Sequence, residues 1–172
     1  PIHVFKDSWL ENWSAEFFCD LYAAYTLGPA YLWSNLHMCT KMSWDVYRIP
    51  TYQRTSHPPD DARMRIIMIA LESIGFKKEV DEVKEKWNEF KKIIAPKKDS
   101  NFTVAVPEKL LKSAAEHCLV GIKEIGCEVA EPTTDKKVAN LLNSSWQQFW
   151  QDPEGFNIWE KKTLDDFKNN LG

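Results

Sequence analysis

Trp9-Leu10-Glu11-Asn12-Trp13-Ser14-Ala15-Glu16-Phe17-Phe18-Cys19-Asp20-Leu21-Tyr22-Ala23-Ala24 carries the clearest periodicity in the chain. Its bulky positions Trp9, Trp13, Phe17, Leu21 and Ala24 recur at threes and fours, which lines one face of an α-helix. The pattern runs to Leu27, where Gly28-Pro29 interrupts or kinks it. Leu32, Trp33 and Leu36 then resume the same period over residues 30–39. Residues 40–56 read as irregular. Pro58-Pro59 followed by Asp60 and Asp61 is a good helix start, because both carboxylates favour the positive end of the helix dipole. The next stretch, residues 64–74, is apolar nearly all round, as in a buried helix, and Gly75 ends it.

Residues 77–94 put Val80, Val83, Trp87, Phe90 and Ile94 on one face, with alternating charges at i,i+4 spacing elsewhere. A polar loop follows at 96–101. The run Phe102-Thr103-Val104-Ala105-Val106 reads as a short β-strand, though one that lacks a partner strand. Pro107 starts another helix that reaches about Gly126, and Glu131-Pro132-Thr133-Thr134 is a linker with a Thr N-cap. Residues 138–150 are helical, and 156–167 form a last helix or docked tail. Trp146, Phe149 and Trp150 near Phe156 and Trp159 suggest that this tail packs back on the body.

The 172 residues are 44% hydrophobic, 27% charged and 13% aromatic, which excludes a disordered tail, a collagen-like chain and a polytopic membrane protein. A chain of this length typically buries roughly 70% of its unfolded surface. The expected fold class is therefore all-α: a compact multi-helix domain over residues 1–96, with a helical extension over 97–172 packed on it as one compact unit. A net charge of -3 argues against a general nucleic-acid-coating role. No run reaches the about 18 apolar residues of a membrane span, and no signal-like segment opens the chain, so the default expectation is cytoplasmic. The chain begins at Pro1 with no Met and reads as a piece of something longer, whose upstream part would carry any signal or anchor.

No G-x-S-x-G serine motif, glycine-rich phosphate loop or H-E-x-x-H zinc helix is present in the sequence. The cysteines at 19, 39, 118 and 127 show no C-x-x-C pair, and three of them lie in helix-like apolar stretches where a free Cys behaves as a small buried hydrophobe. His117-Cys118 with Cys127 lacks a fourth ligand and is a poor structural zinc site. His3 is near an end and reads as a terminal surface residue.

Two constellations remain. Glu16 and Asp20 are one helical turn apart on a face set among Trp13, Phe17, Phe18 and Tyr25. Like charges at that spacing repel, and partial desolvation raises the cost, so something cationic should sit nearby. The plainer reading is a half-exposed helix with solvated acids. In Ser56-His57-Pro58-Pro59-Asp60-Asp61-Ala62-Arg63, two prolines fix the approach of His57 to a helix whose first two turns carry Arg63. Here the plainer reading is a capping histidine and a solvated arginine.

Taken together and in this order, the segments resemble the C-terminal half of gluzincin metallopeptidases related to the prenyl-protein and heat-shock membrane proteases. The resemblance covers roughly residues 9–76. Glu16 and Asp20 match the family's E-x-x-x-D spacing, with Cys19 where a small Ala is usual, and Ser56-His57-Pro58-Pro59 with Arg63 matches its second segment. The run from Asp20 to Ala24 and from Thr26 to Ala30 is similar to a microbial branch of these proteins. The resemblance implies that Glu16 is the third Zn2+ ligand and that Asp20 orients a ligand histidine. It also implies that His57 and Arg63 line the active site and stabilise the transition state.

The two other ligands and the general base would come from an upstream H-E-x-x-H segment of the same protein, and the substrate would be a peptide or protein. This chain alone would bind zinc weakly or not at all and would not be a competent enzyme. The alternative is a noncatalytic helical interaction module that kept a peptidase scaffold and binds partners, a homo-oligomer among them. Either way, Glu16, Asp20, His57 and Arg63 should converge on one cleft.

Overall fold

The computed structural model describes residues 2–42, 45–49, 56–98, 100–132 and 137–169. The side chain of His3 and the Thr133-Thr134 end of the linker lie outside what it describes. It is all-α, with no strand among the described residues. The elements are α1 (Ile2–Ser8), a π-helical segment (Trp9–Trp13), α2 (Ser14–Leu27), α3 (Pro29–Met42), α4 (Asp60–Ser73), α5 (Lys77–Ile94), α6 (Ser100–Ala105), α7 (Glu108–Glu124), α8 (Lys137–Gln151) and α9 (Phe156–Asn169). They fall into two compact units, Pro1–Thr134 and Asp135–Gly172, so α6 and α7 belong with the first unit and the division lies at 134/135, whereas the sequence reading drew it at 96/97.

The first unit is built around α4, which packs against α2, α3, α5 and α7. Its sequence explains that position: Ala62, Met64, Ile66, Ile67, Met68, Ala70 and Leu71 are all buried, a wide apolar face withdrawn from water, while Arg65 and Glu72 lie on the remaining side. Around it, α2 contributes Phe17, Leu21, Ala24 and Tyr25, and the Tyr25 hydroxyl donates to the Ala115 carbonyl of α7 at 2.9 Å. α5 presents Val80, Val83 and Trp87 and leaves its charged face to solvent.

Two local features shape the entry to this core. The π-helical segment widens the helix just before α2, and within it the Trp9 ring lies 4.9 Å from that of Phe17 while its indole N–H donates to the Ala105 carbonyl at 2.7 Å. At the other end of α2, Gly28 takes φ +69°, ψ -150°, a conformation essentially reserved for glycine, and its N–H donates to the Ala24 carbonyl. Pro29 then opens α3 at once.

The strand expected over residues 102–106 is instead helical: α6 ends at Ala105, and Phe102, Ala105 and Val106 are buried while Thr103 and Val104 face water. Buried positions at i, i+3 and i+4 are helical spacing, and the four β-prone residues of this run do not overrule it. Cysteine burial also divides. Cys39 and Cys118 are buried as expected, but Cys19 is exposed on the outer side of α2 and Cys127 is half-buried.

In the second unit, α8 and α9 pack on each other. The five aromatic residues singled out in the sequence meet within this unit, with Phe149 contacting Trp146, Trp150 and Phe156, and Phe156 stacking on Trp159. No helix of the described residues is long and apolar enough to cross a membrane.

Candidate functional site

Asp20 is wholly buried, in the second turn of α2. A carboxylate removed from water needs a cation and its full set of hydrogen bonds. Arg63, in the first turns of α4, supplies both: its Nε donates to Oδ2 at 2.8 Å and a terminal nitrogen donates to Oδ1 at 2.6 Å, a two-pronged fork. Tyr31 of α3 completes the set, its hydroxyl donating to Oδ1 at 2.5 Å. The hydrogen bonds and charge of Asp20 hold the Arg63 proton more firmly than usual, against the opposing effect of burial. Burial, reinforced by the neighbouring Asp20 carboxylate, pushes the Tyr31 phenol well up.

One helical turn earlier, Glu16 meets His57 across the same seam, Oε2 to Nδ1 at 3.3 Å. This second rung is wetter: the Glu16 side chain is 32% exposed and that of His57 is 65% exposed. Arg63 also feels the Glu16 charge. The approach of His57 follows from its neighbours. Pro58 and Pro59 are buried, Pro59 sits at the N-cap position of α4, and its carbonyl accepts the N–H groups of Ala62 and Arg63.

The structure thus brings Glu16, Asp20, His57 and Arg63 into one place, paired acid to base across α2 and the entry of α4. The cation that the two acids call for is Arg63, 43 residues from Asp20 along the chain. Tyr31 was not among the residues singled out in the sequence. Its only signal is its position just past the Gly28-Pro29 corner, which returns α3 to the side of α2.

Another buried carboxylate lies two residues from Arg63. Asp61 accepts from the Trp87 indole and from Lys91 Nζ, both at 3.0 Å, which ties α4 to α5. Cys39 lies close enough to be affected as well: burial, with the carboxylates of Asp60, Asp20 and Asp61, pushes its thiol up to about 12, opposed by Arg63. The other histidine–cysteine grouping does not assemble. His117 turns its Nδ1 to Ser113 of its own helix, Cys118 is buried, and Cys127 Sγ lies 3.7 Å from the Tyr22 hydroxyl.

Metal chemistry can be judged on the donors present. Glu16 is a reachable carboxylate and fits one ligand position of a zinc ion. Asp20, expected to orient a ligand histidine, is sealed from solvent with its oxygens held by Arg63 and Tyr31. Among the described residues, no three His, Cys, Asp or Glu side chains are grouped to hold a metal ion.

Compared with models of protein families, with curated proteins and with solved structures, the chain matches none.

Proposed function

We infer that this chain is the C-terminal part of a zinc-dependent gluzincin-type peptidase, carrying one ligand and the supporting residues of its active site. The carrying observation is the double rung Glu16–His57 and Asp20–Arg63, which joins the two sequence segments on which the resemblance rests.

In this reading Glu16 is a metal ligand, and the remaining ligands and the general base come from an H-E-x-x-H helix, which these 172 residues do not contain. A bound zinc supplies a Lewis acid and an activated water. The chain's own residues do the rest. Asp20 and Arg63 tie α2 to α4 one turn from Glu16. With Nδ1 facing Glu16, neutral His57 keeps its proton there and leaves Nε2 as an acceptor. Donation to an oxyanion therefore requires the imidazolium, or a ring released from Glu16 once that carboxylate has another partner. Arg63 is committed to Asp20, so its part is to hold that carboxylate.

The test is peptide hydrolysis by the gene product that contains this chain. Activity is expected to vanish on chelation, return with zinc, and fall by at least about 100-fold in Glu16→Gln, as for loss of a metal ligand. Hydrolysis indifferent to both treatments would remove the reading.

One observation favours a noncatalytic helical module instead. The Asp20 charge is balanced entirely within the chain, so the scaffold stands without a metal. That module would show neither zinc binding nor hydrolysis and would act through partners.

A further inference from the structure

We propose that α8 and α9 pair with the same hairpin of a second copy of this chain, closing a four-helix bundle. The size of the unit sets the problem. Asp135–Gly172 forms a body of its own, and a body below about 40 residues usually needs a disulfide, a metal or oligomerisation to complete its core. This stretch contains neither cysteine nor histidine, so its own residues offer no disulfide and no zinc cluster, whereas association is open to it.

The packing agrees. Among the described residues of the unit none is buried, although five aromatic rings meet there. Val138, Leu142 and Phe149 stand at i, i+4 and i+11, one stripe of α8. α9 covers that stripe at Phe149, whose ring centroid lies 5.5 Å from that of Phe156. Its other end stays open: Val138 is 59% exposed and Leu142 36%, with Leu164 of α9 at 43%. Half the circumference of two helices about 22 Å long and 10 Å wide is roughly 700 Å2, close to the about 800 Å2 that each partner gives to a stable interface.

The charge pattern selects the partner. A two-fold interface sets a patch against its own copy, so charges near the axis meet like charges. α8 has fifteen residues, and Lys137 at its first position is the one that is charged. Beside the apolar stripe stand the amides Asn143 and Gln148, which both donate and accept and so can pair with themselves. The acids and lysines of residues 152–168 are all exposed, on the loop and α9. α5, which faces water, instead carries Lys, Glu and Asp on every side but its buried one.

The test is the mass of the full chain by sedimentation equilibrium from about 1 μM to 1 mM, the span of moderate to weak affinities. The wild type is expected to dimerise. Val138→Glu with Leu142→Glu buries unpaired carboxylates in the interface and should raise the dissociation constant by about 100-fold or more. Leu142→Asn, a milder and uncharged change, should raise it by about tenfold. Both positions are open to water within one chain, so circular dichroism should show wild-type helix content in each variant. Ile93→Glu, at an exposed apolar position of α5, should leave the dimer unchanged.

A wild type that stays monomeric over the whole range, as when the first unit or an unrelated protein covers the stripe, would overturn the inference. So would a dimer that the changes at 138 and 142 leave intact, or one that Ile93→Glu weakens equally. The zinc reading stands or falls apart from these outcomes.

Discussion

Asp20 touches no solvent, and Arg63 and Tyr31 balance it from two other helices. The neighbouring Glu16–His57 pair is wet and loose. That contrast predicts unequal costs. Arg63→Ala leaves a buried carboxylate without its cation and should lower stability by about 3–5 kcal/mol in urea unfolding. Arg63→Lys keeps the charge but loses the fork, and should fall between. A loss in Arg63→Ala no larger than a surface substitution would show that the fork does not hold the fold.

Cys39 gives a pH signature beside the same cluster. Its thiol is pushed up to about 12 when folded, against 9.0 ordinarily, so the native state keeps a proton that the unfolded chain releases between those values. The stabilisation is full below pH 9 and is lost as pH rises towards 12. Unfolding measured over that range should show a steeper decline for the wild type than for Cys39→Ala, and equal slopes would contradict it.

The need for a cation near Glu16 and Asp20 was legible in the sequence, because like charges four apart on an apolar face demand one. Tyr31 and the Asp61–Trp87–Lys91 contact were not. Each depends on how one helix folds back on another, which no local spacing encodes.

Among the helices, legibility followed length. The faces of α2 and α5 repeat over several turns and were readable, as was the burial of α4, which keeps a polar side at Arg65 and Glu72. Residues 102–106 read as a strand because Phe, Thr and Val favour pleated surfaces. Burial of Phe102, Ala105 and Val106 decides for the helix. The π-helical segment before α2 was invisible for a different reason: the spacing of four between Trp9, Trp13 and Phe17 suits a widened turn as well as an ordinary one.

Helix ends allow a test of the same logic. α5 stops at Ala95, which takes φ 42°, ψ 52°, the left-handed region that costs a Cβ-bearing residue energy and costs glycine little. Ala95→Gly should therefore raise stability by about 0.5–1 kcal/mol in denaturant unfolding, the reverse of a glycine placed inside a helix. A loss would mean that α5 does not end in this conformation.

The whole molecule places its candidate chemistry where its packing is firmest. α4 is gripped by four other helices, and its first turns deliver Arg63 to α2 while the prolines before it deliver His57. The fold class and the meeting of the four site residues followed from the sequence. The division of the chain at 134/135 did not, because α6 and α7 carry no local mark of the body to which they belong. We propose one half of a zinc centre as the reason that Glu16 and Asp20 share a face, beside the ion pair that Asp20 makes with Arg63.

Zinc titration of the gene product, as wild type and as Glu16→Gln, tests that reading at its root. One zinc per chain is expected, with affinity lowered by about 100-fold or more in Glu16→Gln, as for loss of a direct ligand. A tight stoichiometric zinc that survives Glu16→Gln unchanged, or no zinc at all, would contradict it.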